Sequence, residues 1–422
     1  LHDLKDALPW FKKMMRSNGL FPKCIERWTP KQVINTRAPC KKETYRRAYE
    51  YLERNNVEHR NSMVKAMIKF EKAGTDKIHK GPRLIQYRGP IYTAELASYI
   101  APVEKRVYDL ELNGFKCFAK HMNSIQRAEA IVSMGGPGRA YVMLDHKHYE
   151  GHIGVEALKF EHSVYDWLYG HDQHLSEILS WQLRNTVYAR SGQKWKIRGT
   201  RMSGDYNTSS GANIINLAVI SLWAKHIGVP NHELRVLLDG DDCVISLPKA
   251  FLENLDLNFF TRYGFEVTLE GIGLEPEEVV FCQTRPIETG SGWRMCRSFE
   301  RSGARMQYSI RSLRGKGWVR YARGIAQAER LMGDGMPIFA ALGRRLCELV
   351  PKLAPLYDNN DYYRMWCEPP YTALPVTDTC RASFALAFGI SPTEQVVIEK
   401  SFATARLADP LFALVDAARK KR

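Results

Sequence analysis

The chain has 422 residues, enough for two or three domains at roughly 150 residues each. Its 45% hydrophobic and 25% charged residues fit a folded core rather than a disordered tail or a membrane protein. The net charge of +15 points to a polyanionic partner or an acidic surface, and it is uneven: residues 1–90 hold 21 basic and 9 acidic side chains, the remainder 40 and 37.

Nine scattered cysteines include no C-x-x-C pair, which argues against a zinc ribbon or a disulfide framework and for a reducing compartment. No cleavable signal pattern opens the chain, and its first residue, Leu1, leads to the expectation of a processed product or an excised domain.

In chain order, the first stretch mixes basic residues with aromatics such as Trp10, Phe11, Trp28 and Tyr49. Residues 43–60 read as a charged helix ending near Asn55–Asn56. An apolar segment over 63–70 leads into a Lys-, Gly- and Pro-rich loop, and 91–112 reads as a helix. The run 141–144 after a Gly-Gly-Pro-Gly turn predicts a buried strand. Helical spacing then covers 154–184 and 212–226. The uncharged run 206–224 carries too many Asn, Ser and Thr for a bilayer span. Two apolar runs, 234–238 and 243–247, flank Asp239-Gly240-Asp241-Asp242, and Asp-Gly between strand-like runs signals a hairpin. Beyond about 300 the chain reads as mainly helical, with an explicit start at Ser391-Pro392-Thr393-Glu394, an N-cap with Pro at N1 and a capping-box Glu. A basic tail, 419–422, ends it.

Four constellations carry chemistry. Asp241 and Asp242 repel each other at a hairpin tip that needs at most one Asp, so a solvated turn or a multivalent hard cation accounts for them. Asp145 directly follows a predicted strand and, across a sheet edge from Asp241, would suit a two-metal centre for in-line phosphoryl displacement; alone it reads equally well as a strand-end cap. His146, His148 and His152 raise zinc only weakly, because nothing completes the set. The loop 201–208 is polar and precedes a core helix, with Thr208 or Ser209 as cap in the plainer reading and phosphate or sugar contact in the other. Lys65, Lys69, Lys72, Lys77, Lys80, Arg83 and Arg88 form either a solvated basic face or a triphosphate site.

These segments, in this order, resemble the viral RNA-dependent RNA polymerases of positive-strand RNA viruses, most closely the tombusvirus group. The matches are 64–72 with 82–86 (motif F), 145–152 (motif A), 201–208 (motif B), 240–245 (motif C) and 280–283 (motif E), covering roughly 45–290. The resemblance implies an α+β, right-hand fold whose palm is an antiparallel sheet carrying the Gly240-Asp241-Asp242 hairpin. Fingers would take 1–95, with motif F at 65–90. The palm would take 96–300, with fingers insertions near 115–140 and 155–200, and a helical thumb with the basic tail 301–422.

It further implies RNA-directed RNA polymerase activity: template-directed nucleotidyl transfer from NTPs with release of pyrophosphate. Asp145 and Asp241 would hold two Mg²⁺ ions, with Mn²⁺ a substitute and Asp242 in support. Lys69, Arg83, Glu150, Ser203, Thr208 and Asn213 would meet the incoming nucleotide. Lys65, Lys72, Arg88 and Gly204 would meet RNA, and Phe281, Cys282 and Gln283 the primer end. Implied partners are RNA template, nascent RNA, NTPs and viral or host replication proteins. The implied location is the host cytoplasm, in a membrane-associated complex reached through those partners, with no membrane span of the chain's own.

Three departures stand out. Glu150 replaces the family's second motif A aspartate, and Ala212 stands where its motif B asparagine is usual, with Asn213 one place later. No Lys occurs between Lys249 and Lys316, the stretch where the family's general acid usually lies. A reverse transcriptase and a non-catalytic basic RNA-binding protein are the competing readings. The second has no use for aspartates at strand ends.

Overall fold

The apolar runs around Asp-Gly-Asp-Asp close into an antiparallel hairpin. In the computed structural model, which describes residues 2–72, 79, 81–306, 308–357 and 368–404, strands Arg235–Asp239 and Asp242–Pro248 pair from Arg235↔Ser246 to Asp239↔Asp242. The loop is therefore only Gly240 and Asp241. Gly240 takes φ +77° and Asp241 stays on the negative side, the pattern of a II′ turn, which places Gly first.

The chain divides into two compact units. The first comprises Leu1–Lys69, His79–Lys120 and Val142–Gly271. Its central four-stranded sheet runs in the order Val267–Gly273, Arg139–His146, Asp242–Pro248, Arg235–Asp239. The strand foreseen at 141–144 extends to Arg139–His146 and is buried along almost its whole length, as a strand covered on both faces must be. A second four-stranded sheet has the order Leu84–Arg88, Val64–Ile68, Arg184–Ala189, Lys194–Arg198. Its outer pairs are antiparallel, and Val64–Ile68 lies parallel to Arg184–Ala189.

The helix expected at 212–226 spans Thr208–His226. It is apolar around most of its circumference, so it lies within the core rather than on it, with Ile214, Leu217, Val219, Ile220 and Trp223 fully enclosed. The expectation of one helical stretch over 154–184 is corrected. Helix Val155–Leu168 stops where Gly170 (φ +62°) and His171 (φ +65°) reverse the chain, and Asp172 then caps a second helix, Gln173–Ser180. By 184 the chain is a strand. The charged helix of 43–60 runs Pro39–Leu52 instead, because Pro39 is preorganised for the first helical position. The helix of 91–112 is Pro90–Val107.

The second unit comprises Phe70–Ile78, His121–Tyr141 and Ile272–Arg422. An antiparallel hairpin, Thr284–Thr289 with Gly292–Arg297, packs with helices around Ile287, Cys296, Phe299, Phe339, Leu342 and Phe384. The capping box forms as foreseen: Ser391 N donates to Glu394 Oε2 at 2.8 Å, and Glu394 N donates back to Ser391 Oγ at 3.4 Å. The 419–422 tail lies outside the described residues. Among the described residues no helix is long and apolar enough to cross a membrane.

Candidate active site

Asp145 sits near the end of the 139–146 strand, next in the sheet to the strand that begins at Asp242. Adjacent strands lie about 4.8 Å apart, and Asp145 is near enough to the hairpin tip for its charge to act on Asp241. There an open cavity of about 340 Å³ is lined by Tyr149, Glu150, Ser203, Asp205, Tyr206, Thr208, Ser209, Ala212, Asp239, Gly240 and Asp241. Glu150 and Ala212, two of the three departures from the family pattern, therefore share one cavity with Asp241. Asp145 is half-buried beside it and Asp241 is exposed at the tip.

Negative charge is crowded here. The Asp241 carboxyl is pushed above its ordinary value, first by partial desolvation and then by Glu150, Asp145 and Asp239. Glu270 is pushed up likewise, by desolvation and then by Asp145 and Asp241. It lies on the edge strand 267–273, beside the 139–146 strand. Sequence reasoning missed Glu270, whose only signal is an acidic residue in a strand-like run.

The Arg201–Thr208 segment is fixed from several sides. Arg201 and Glu161 form a fully buried ion pair. Asn207 donates to Glu161 Oε1 at 2.7 Å, and Gln182 donates to Asn207 Oδ1 at 3.0 Å. Asn207, not Thr208 or Ser209, holds the N-cap position, without a capping side chain. Thr208 Oγ1 donates to Met202 O at 2.8 Å. Ser203 is exposed, its Oγ accepting from Gln86 N at 3.2 Å.

Gly204 is half-buried and packs closely against the 84–88 strand. Its N–H goes to Gln86 O at 2.7 Å, and a Cβ there would stand 2.7 Å from Tyr87 Cβ and 2.8 Å from Gln86 O. Gly204→Ala should cost about 1–3 kcal/mol of stability from overpacking, checked by urea denaturation.

Arg88 is corrected. Its pair with Asp205 is 2% exposed on both sides, with Nε to Asp205 Oδ1 at 2.7 Å. Its other donors reach Ser62 O and Asn185 Oδ1, both at 2.6 Å. It is a structural anchor, with no surface left for RNA. Asn213 is corrected for a similar reason. Fully buried, it accepts the Gly240 N–H at 3.0 Å and donates to Ser209 O at 2.9 Å, and it does not line the cavity.

Lys65 and Arg83 are exposed and Lys69 half-buried on the paired strands 64–68 and 84–88 or just beyond them, where Lys69 N donates to Arg83 O at 2.9 Å. Lys77 and Lys80 lie outside the described residues. In the second unit, Lys72 Nζ donates to Tyr321 Oη at 3.0 Å. Phe281 there is 1% exposed, a core residue rather than a primer contact. Cys282 and Gln283 follow in left-handed conformations (φ 48° and 64°), and only Gln283 is fully exposed.

Among the described residues no three His, Cys, Asp or Glu side chains converge as a closed metal site. His146 is buried and its imidazole pushed down to about 4 by desolvation, hence neutral at pH 7. His152 Nδ1 faces Lys147 O at 2.7 Å. A zinc reading of these histidines thus has no support. Asp145 and Asp241 would instead offer an open, all-oxygen donor set, and a hard cation would relieve the repulsion that raises Asp241. That fits Mg²⁺, which uses one or two carboxylates together with water and phosphate oxygens.

The chain is similar to known proteins along most of its length. A family model described as viral RNA dependent RNA polymerase matches residues 2–409. The RNA-directed RNA polymerase of tobacco necrosis virus (strain D) is 27% identical over 404 residues, covering 90% of this chain and 55% of that protein. That of red clover necrotic mosaic virus is 30% identical over 420 residues, with 93% and 52% covered. That of Cymbidium ringspot virus is 30% identical over 391 residues, with 84% and 45% covered. The chain thus spans about half the length of these relatives. With the match running through nearly all of its residues, the chain belongs to the viral RNA-dependent RNA polymerase family.

Proposed function

We propose that the chain is the catalytic part of an RNA-directed RNA polymerase that copies a viral RNA genome. The observation that carries this reading is the crowding of Asp241, Asp145, Asp239 and Glu150 around one open cavity with Ser203 and Thr208 on its wall. A non-catalytic RNA binder gains nothing from such repulsion. Family membership implies a right-hand arrangement, and in the proposed reading the 235–248 hairpin belongs to the palm, with fingers over 1–95, palm over 96–300 and thumb over 301–422.

In this reading the 3′-hydroxyl of the growing RNA attacks the α-phosphate of the NTP, and pyrophosphate leaves. Asp145 and Asp241 hold the divalent ions, and Asp242 supports them. Bound Mg²⁺ would neutralise phosphate charge and favour the ionised 3′-hydroxyl. Lys69 and Arg83 clamp the triphosphate, while Ser203 and Thr208 orient the sugar. Lys65, Lys72, Cys282 and Gln283 contact RNA. Viral or host replication proteins and a membrane-associated site in the host cytoplasm complete the proposal.

The test is incubation of purified protein with an RNA template, four NTPs and Mg²⁺. A template-length, ribonuclease-sensitive product is expected, and a product made only from dNTPs would favour a reverse transcriptase instead. Glu150 is proposed as the reader of the ribose 2′-hydroxyl, Ala212 giving its longer side chain room. Glu150→Asp should lower ribo- over deoxynucleotide preference by roughly 10- to 100-fold, the worth of one hydrogen bond to a charged group. Competition between the two substrates measures it, and an unchanged preference removes Glu150 from that role.

A further inference from the structure

Both polar groups of Gly240, in the turn that carries Asp241, are held by one face of the buried helix. Gly240 N donates to Asn213 Oδ1 at 3.0 Å, and Gly240 O accepts from Asn216 Nδ2 at 2.9 Å. Asn213 and Asn216 are three residues apart on the 208–226 helix, hence on one side of it, and both are fully buried. Two enclosed asparagines on a mostly apolar helix are costly unless their hydrogen bonds are made, and here they converge on a single residue.

The second amide atom of Asn216 extends the chain of contacts. A carbonyl can only accept, so the atom facing Gly240 O is the amide nitrogen, and Oδ1 is left as acceptor. Oδ1 lies 3.1 Å from His146 Nε2, which must therefore carry the imidazole hydrogen. His146 directly follows Asp145 on its strand and is packed against Tyr149, Phe260 and Phe265. A continuous path thus runs from Asp145–His146 through Asn216 to Gly240–Asp241.

We propose that Asn216 is a positioning residue that sets the placement of Asp241 relative to Asp145, by bridging His146 of one strand to the Gly240 carbonyl of the other. The inference rests on the polymerase reading for its consequence in catalysis. The geometry it describes concerns the two carboxylates alone. With the bridge removed, the Gly240–Asp241 peptide loses its tether and the carboxylates no longer share a defined spacing.

The test replaces Asn216 with Leu, close in volume and uncharged, in the full chain. Three properties are measured: Mn²⁺ affinity by electron paramagnetic resonance, kcat and NTP KM separately, and the melting temperature. Expected is a fall in kcat of at least about tenfold and a several-fold weaker Mn²⁺ affinity, with NTP KM and RNA binding changed less than about threefold. His146→Phe should act in the same direction, and the double variant should be little worse than Asn216→Leu, as expected of groups acting through one bridge. If Asn216→Leu does not fold, Asn216→Ser, smaller and still polar, takes its place in every measurement.

Unchanged Mn²⁺ affinity in a folded variant overturns the proposal, as does full additivity in the double variant. Should the wild-type chain make no RNA, the polymerase reading fails, and the Mn²⁺ measurement still decides the role of Asn216.

Discussion

Asp241→Asn should lower nucleotide addition by at least about 1000-fold, roughly 4 kcal/mol of barrier, while leaving RNA binding nearly intact and raising the melting temperature of the metal-free protein. The stability half of this expectation follows from linkage. The Asp241 carboxyl is held above its ordinary value of 3.8, so its contribution to stability is present below that value and is lost as pH rises through the folded one. At neutral pH the ionised side chain faces Asp145, Asp239 and Glu150 at a net cost, which Asn removes. Thermal melts at pH 7 and pH 4 in chelator check the sign: the variant's advantage should shrink at the lower pH. Adding Mg²⁺ should reverse the order, because a ligand at 100 times its Kd stabilises the native state by about 2.7 kcal/mol. The variant, missing a ligand carboxylate, should gain less. A variant that melts below wild type in chelator would mean that Asp241 is a structural residue.

The largest stability loss is expected at Arg88. Arg88→Ala leaves the Asp205 carboxylate buried and unpaired and strips Ser62 O and Asn185 of their donor, a loss of about 3–5 kcal/mol. Arg83→Ala, five residues earlier on an exposed position, should change stability by less than about 0.5 kcal/mol. If Arg83 meets phosphate, that variant should instead reduce the salt slope of RNA binding by about one. Urea denaturation and salt-dependent filter binding separate the two arginines. Arg88→Ala that folds as stably as wild type but binds RNA weakly would restore its expected role as an RNA contact.

That contrast shows what a sequence carries and what it does not. The 235–248 hairpin was legible because its information is local: a turn residue that tolerates positive φ between two apolar runs. Asp145 was legible because the strand before it is apolar on both faces. The cap at Ser391 is likewise complete within four residues. Arg88 was misplaced because its environment is set by Asp205, 117 residues away, and a cation's burial cannot be read from its neighbours in the chain. Asn213 deceived for the opposite reason. It stood one place from an expected position, and one residue on a helix is a rotation of about 100°, enough to turn it from the cavity to the Gly240 turn. Glu270 has its meaning only from the strand order, which places the 267–273 strand against Asp145. Phe281 shares its segment with an exposed Gln283 but is itself buried, a difference that its neighbours in the chain do not signal.

Ser203 and Gly204 are joined to Gln86 by a bond in each direction, one through a hydroxyl and one through the backbone N–H. Mechanically, the strand that bears Arg83 at its edge and the loop that bears Ser203 form one lever rather than two parts. Should Arg83 grip a triphosphate and Ser203 a sugar, a displacement at one end of the bound nucleotide would pass to the other through these two bonds.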